Sequence, residues 1–306
     1  KSWKKGGHGL QTFREVLQNS SNPGFVEIGR RLGKKRIYNY VKNFGLTQKT
    51  EVDLPGESCG IMFDYKNFHE LEQATVAFGQ GISVTPLQLV TAISACVNGG
   101  YLLQPHILKE VRNNNNEIIY QAKRKVKRQV IKEETAKKVR DALESVVTDG
   151  GGRNAYIDGY RIGGKTGTAQ KAVNGSYVGG GYILSFVGIA PIDDPQIVLY
   201  IAMDNPKNCI QYGGTTVAPI ARKMFVDILP ALNVKKVKSQ RQKSYSIMDE
   251  RTIKVENYIG KKRSEVQNIS LRFTFVGKGN KVIDQLPRKG EYVEEGDTIV
   301  IMLGEK

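Results

Sequence analysis

Between residues 161 and 204 three runs of strand-forming residues follow one another, with turn residues between them: RIGGKTGTAQ, GGGYILSFVGIAP and QIVLYIAMD. That order predicts an antiparallel meander. The first run also carries chemistry. Lys165 supplies a fixed positive charge. Thr166 and Thr168 supply hydroxyls and backbone donors, and Gly167 lets another backbone approach the strand closely. A protein that reads a peptide ending in a carboxylate needs those parts together. The cation and hydroxyls hold the carboxylate, and a strand edge pairs with the peptide. The same Lys-Thr-Gly letters also occur in Gly-rich turns that feed a strand, so the rest of the chain decides between the two.

The chain has 306 residues, room for one large domain and a small one, and its 40% hydrophobic share suits a globular protein. The net charge of +16 raises the question of nucleic acid. Its lysines and arginines are spread from Lys1 to Lys306, with one short run at Lys123–Arg128 and no aromatic-interleaved basic box. Such a distribution suits an anionic envelope better than a nucleic acid. Cys59, Cys96 and Cys209 lack metal spacing, and His8, His69 and His106 lie far apart, so neither a metal nor a cofactor is expected. No run of 18 apolar residues and no signal peptide are present.

Helical signals dominate the first half. LQTFREVLQ places Leu10, Phe13 and Leu17 on one face. Asn19–Pro23 interrupts it, and FVEIGRRLG and RIYNYVKNFG read as two short helices closed by glycine. Residues 47–68 read as loop. Thr85 and Pro86 mark the N-cap and first turn of an apolar helix through Val97. Residues 130–148 read as an amphipathic helix followed by a mobile-looking TDGGGR. Residues 218–229 form a closing helix that Pro230 is expected to end, and residues 231–248 read as a basic linker.

Residues 249–306 change character. YIGKKRSEVQN suggests a short helix, and LRFTFVGKG, KVIDQLP and TIVIMLG suggest three strands between Gly-rich turns. The unit resembles a PASTA module, the cell-wall-associated repeat with one helix on a three-stranded sheet. The resemblance rests on Gly260, Val282–Gln285, Pro287, Gly290, Val293 and Gly296–Asp297. Any small α+β domain with glycine turns could share part of this pattern.

Larger blocks resemble one family. KTGTAQ resembles the third signature of the penicillin-binding transpeptidases, and Ser20-Ser21-Asn22 fits their second, Ser-x-Asn. LQTFREVLQNSSNPGFVEIGRRLG, AFGQGISVTPLQLVTAISACVNGGYLLQPHIL, SFVGIAP and YGGTTVAPIARKMF resemble the segments around and between those signatures. The resemblance to class B penicillin-binding proteins covers residues 3–230. It implies an α/β (α+β) transpeptidase fold, with a central antiparallel sheet flanked by helices, over residues 1–230.

The family acylates the serine of a Ser-x-x-Lys motif at the start of an apolar helix, well upstream of Ser-x-Asn. Ser2-Trp3-Lys4-Lys5 has the letters, but Gly6-Gly7-His8-Gly9 follows at once and no buried helix can start there. The expectation is that the nucleophile and its general-base lysine lie outside this chain, which reads as the C-terminal part of a longer protein. The resemblance implies that Ser20 relays a proton, with Lys165 poising it, and that Asn22 bonds the substrate amide. It also implies that the Thr168 N–H forms half an oxyanion hole and that Thr166 and Thr168 hold the terminal carboxylate. The implied ligands are peptidoglycan stem peptides and β-lactams. The implied partners are a membrane glycosyltransferase and a division or sporulation complex, at the extracytoplasmic face of a membrane reached by an upstream anchor. One PASTA-like module resembles the spore-cortex branch. A β-lactamase or β-lactam sensor shares the signatures, and a non-catalytic wall-binding fragment is the reading from another class.

Overall fold

The computed structural model describes residues 8–171, 181–237, 252–268, 270–294 and 297–305. Ser2–Lys5, Gly296 and most of the predicted linker lie outside them. The chain divides into two compact units. One is Lys1–Asp204 with Tyr212–Ser239; the other is Gln240–Lys306 with Asn205–Gln211.

The first unit begins with three short helices: α1 (Phe13–Gln18), α2 (Asn22–Leu32) and α3 (Lys34–Asn43). Thr12 and Glu15 form a capping box at α1, and Ser21 caps α2 by accepting from Gly24 N–H. The break between α1 and α2 is narrower than Asn19–Pro23. Pro23 lies inside the first turn of α2, where its missing N–H would have no intrahelical partner. The predicted face of α1 is corrected. Leu10 and Phe13 are 104% and 67% exposed, and Val16 is the buried residue. Thr12 caps the helix, so Leu10 lies before its first turn and outside any helical face, while Val16 and Leu17 turn inward.

Next come α4 (Glu70–Ala77), within a stretch that carried no helix signal, and α5 (Pro86–Val97), capped by Thr85 as expected. Four short strands then form two hairpin-like pairs: β1 (Tyr101–Leu103) with β4 (Val126–Gln129), and β2 (Glu110–Arg112) with β3 (Ile118–Gln121). None was read from the sequence, because three or four residues are too few to show a period. Helix α6 (Glu133–Asp149) leads into the sheet.

The meander is as expected: β5 (Gly163–Gln170), β6 (Tyr182–Ala190) and β7 (Ile197–Asp204) are antiparallel in that order, with Lys165 opposite Val187 and Thr168 opposite Leu184. Both faces are covered. On one, Ile189 joins Val97, Leu143 and Ile192 in a core completed by Leu17, Ile93 and Val139. On the other lies α8 (Ala218–Ala231), preceded by the single-turn α7 (Gly213–Thr216). A side chain at Gly188 would lie 2.6 Å from the ring of Phe225. The glycine is therefore a socket for that fully buried phenylalanine.

Two further expectations are corrected. Pro230 lies inside α8, one residue before its end, where the N–H it lacks removes a single bond of the last turn. TDGGGR is held in place rather than mobile. Gly151 N–H donates to Gln18 O at 3.1 Å and Gly152 N–H to Val146 O at 3.0 Å. A side chain at Gly150 would come within 2.8 Å of Gln18 O. The glycines serve close backbone approach here.

In the second unit β9 (Arg272–Val276), β10 (Lys281–Leu286) and β12 (Thr298–Gly304) form a sheet in the order β10-β12-β9, antiparallel then parallel. A second pair, β8 (Thr252–Lys254) and β11 (Tyr292–Glu294), was not anticipated. The predicted short helix is reduced to a 3-10 turn, Arg263–Glu265. Tyr258, Val282, Ile299, Ile301 and Leu303 form the core. Gln285 is buried and bridges it: its Oε1 accepts from Tyr258 N–H at 2.6 Å and its Nε2 donates to Glu256 O at 2.9 Å.

Candidate active site

Strand β5 is at the sheet edge, and alternation along it sends successive side chains to opposite faces. Lys165 points to the face shared with α1 and α6. There its Nζ donates to Ser20 Oγ at 2.7 Å, across 145 residues of sequence, and to Thr166 O at 2.9 Å. Burial lowers the Lys165 amine from 10.5 to about 8. The residue as a whole is half-buried.

Ser20 meets the lysine because of its backbone. It has φ 50°, the left-handed region that a serine enters at a cost of about 1 kcal/mol. Two bonds hold it there: Ser20 N–H to Leu17 O at 3.3 Å and Ser21 N–H to Val16 O at 3.0 Å. Ser21 turns away to cap α2 and is buried. The two adjacent serines thus have separate tasks, one in the cleft and one in the helix. Asn22 is half-buried at the first turn of α2, and its amide has no hydrogen-bond partner among the described residues. It is therefore available to a ligand as both donor and acceptor.

The two threonines of β5 also differ. Thr166 is only 7% exposed, next to the Gly150–Gly152 turn, whereas Thr168 is exposed. Thr168 Oγ1 accepts from Gly213 N–H at 3.2 Å. Gly167 faces Ser185, whose Oγ would lie 2.4 Å from any added Cβ, so β5 must remain without a side chain there.

Lys165 is bonded to Ser20; Thr166, Gly167 and Thr168 follow Lys165 along β5, and Asn22 follows Ser20 on the same helix break. Sequence reading missed the supports: the Gly150–Gly152 turn beneath Gln18, and the Gly213-Gly214 pair seated on β5. The glycine pair in YGGTT was the available signal. Cys96 is no rival nucleophile, since burial pushes its thiol up to about 12.

Comparison with known proteins bears on the family. Residues 1–225 match the family model described as the penicillin binding protein transpeptidase domain. Stage V sporulation protein D of Bacillus subtilis is 50% identical over 307 residues, covering 99% of this chain and 48% of that protein. The probable peptidoglycan D,D-transpeptidase PenA of Neisseria meningitidis serogroup A is 32% identical over 226 residues, 74% of this chain and 37% of the relative. Among solved structures, penicillin binding protein 3 from Mycobacterium tuberculosis, complexed with ampicillin, has TM-score 0.72 at 30% identity over 81% of this chain and 57% of that one. The transpeptidase domain of Burkholderia pseudomallei penicillin-binding protein 3 has TM-score 0.66 at 36% identity over 75% of this chain and 67% of that one. The chain spans about half the length, or less, of these curated relatives. The family match over residues 1–225, on a sheet edge that carries Lys165 against Ser20, places the chain in the penicillin-binding protein transpeptidase domain family.

Proposed function

We propose that this chain carries the substrate-binding and proton-relay half of a serine-type peptidoglycan D,D-transpeptidase. The observation that carries the reading is the 2.7 Å bond between Lys165 Nζ and Ser20 Oγ. An acyl-enzyme forms on a serine of a Ser-x-x-Lys segment that the described residues do not contain. A peptide ending in D-alanyl-D-alanine pairs along β5, and Asn22 bonds its amide. The serine gives its proton to the general-base lysine of its own Ser-x-x-Lys segment and attacks the penultimate carbonyl, and the oxyanion takes a hydrogen bond from Thr168 N–H. Ser20, poised by Lys165, passes a proton to the leaving D-alanine nitrogen. The amine of a neighbouring stem peptide then takes the acyl group and the serine leaves. Thr168, the exposed threonine, contacts the substrate carboxylate, and the buried Thr166, on the same face two residues earlier, supports the strand. β-Lactams enter as mimics of the same peptide end.

The match with Stage V sporulation protein D runs through residues 249–306, which supports a sporulation role among the division, elongation and spore alternatives. We take 231–248 as a linker and 249–306 as a PASTA-like module. No helix among the described residues is long and apolar enough to cross a membrane. Placement at the extracytoplasmic face, beside a glycosyltransferase, rests on the family alone.

The test is covalent labelling of the full-length protein by a fluorescent penicillin, read by mass spectrometry. Wild type forms one adduct, on a serine outside the described residues. Lys165→Ala loses labelling by more than about 10²-fold, since it removes an interaction made in the transition state. Normal acylation in that variant removes the assigned role.

A further inference from the structure

We infer that Asn154 is a positioning residue for substrate carboxylate recognition, acting through the Gly213-Gly214 turn on the hydroxyl of Thr168. The inference rests on the transpeptidase reading. Asn154 has no place in either signature. It lies in the 3-10 turn Arg153–Ala155, half-buried, and its Nδ2 donates to Gly214 O at 2.9 Å across 60 residues of sequence.

That bond holds a turn with little freedom. A side chain at Gly213 would lie 2.5 Å from Gly167 O and 2.6 Å from Ser185 O. One at Gly214 would lie 2.3 Å from Gly151 O. The turn can rest on the sheet because Gly213 lacks a Cβ, and on the Gly150–Gly152 turn because Gly214 does. Contact of this kind gives proximity but not direction, and the amide of Asn154 supplies the direction. With Gly214 O held, Gly213 N–H aims at Thr168 Oγ1, 3.2 Å away.

The consequence is a polarised hydroxyl. A threonine hydroxyl has one hydrogen to give and two lone pairs to offer. Gly213 N–H occupies an acceptor position, which leaves the O–H free to be donated outward from the exposed side of β5. An outward donor suits a carboxylate, which only accepts. Without the Gly213 bond the hydroxyl rotates freely and presents lone pairs as readily as its hydrogen. Asn154 touches no substrate; its effect is confined to ligands that bear the carboxylate.

That confinement supplies the test. Acylation of the full-length protein is measured with a penicillin and with the same penicillin carrying its carboxylate as a methyl ester. Asn154→Ala and the donor-lacking, near-isosteric Asn154→Asp lower the second-order rate for the free acid by about threefold to tenfold, the worth of one positioned hydrogen bond. Both leave the ester rate within about twofold, so the acid-to-ester preference falls. In a Thr168→Val background, Asn154→Ala changes the preference no further. Equal losses for acid and ester would show a merely structural role and overturn the inference, as would no loss for either. An additive loss in the Thr168→Val background would overturn the route through Thr168. Failure of the wild type to be acylated at all would instead overturn the transpeptidase reading.

Discussion

Lys165→Met removes the ammonium and keeps the length of the side chain. Burial has lowered this amine from 10.5 to about 8. At about 1.4 kcal/mol per pK unit, carrying the charge at neutral pH costs the folded chain about 3 kcal/mol. The variant avoids that cost and loses the bonds to Ser20 Oγ and Thr166 O, each worth about 1 kcal/mol net. At neutral pH it is therefore expected to be more stable than wild type by about 1 kcal/mol while losing penicillin acylation. The sharper test is pH. An amine whose pKa falls on folding holds its proton less well in the folded chain. Between about pH 8 and 10.5 the unfolded chain keeps a proton that the folded chain has released, so wild-type stability rises through that window relative to the variant. Below it both states are protonated and the whole penalty is present. Urea unfolding of both proteins across the window should show the difference shifting toward wild type by about 3 kcal/mol, or roughly 6–12 °C in Tm for a domain of this size. Other groups titrate alike in both proteins and cancel. Parallel stability curves would mean that Lys165 titrates near its ordinary value and that the cleft does not desolvate it.

Ser20→Ala leaves Lys165 without its 2.7 Å acceptor, and acylation should fall by about 10²-fold or more with stability changed by less than about 1 kcal/mol. Kinetics beside a thermal melt check both halves of that statement. Gly188→Ala drives a methyl to within 2.6 Å of the buried Phe225 ring and should cost about 1–3 kcal/mol in urea unfolding; an unchanged midpoint would show that the ring can yield. A fragment of residues 249–306 should melt cooperatively by circular dichroism, and Gln285→Leu, which strands the Tyr258 N–H and the Glu256 carbonyl, should abolish that transition by costing about 2–4 kcal/mol. A flat wild-type trace would argue against independent folding of the module.

Local chemistry determined much of this protein. Runs of β-formers between turn residues set the meander, Thr85-Pro86 set the start of α5, and the letters around Ser20 and Lys165 marked the two sides of the cleft. Those signals are short-range, so they are visible in a string of residues. Short strands such as β1–β4 left no readable period, and α1 starts after Leu10, so its inward side is Val16 and Leu17 rather than the Leu10–Phe13–Leu17 spacing. Tertiary structure alone decided the rest. The Ser-x-Asn pattern marked Ser20, but only the fold shows how it is aimed: its left-handed φ turns it to Lys165 while the adjacent Ser21 caps a helix. Thr166 and Thr168 look equivalent and share one face of β5, yet Thr166 lies beside the Gly150–Gly152 turn and is buried while Thr168, two residues further along the strand, is exposed. The lowered Lys165 pKa has no sequence signature, because desolvation depends on what chain folding places around the amine. The same holds for Asn154, whose partner is 60 residues away and is reached because two glycines let α7 lie against the sheet and the Gly150–Gly152 turn.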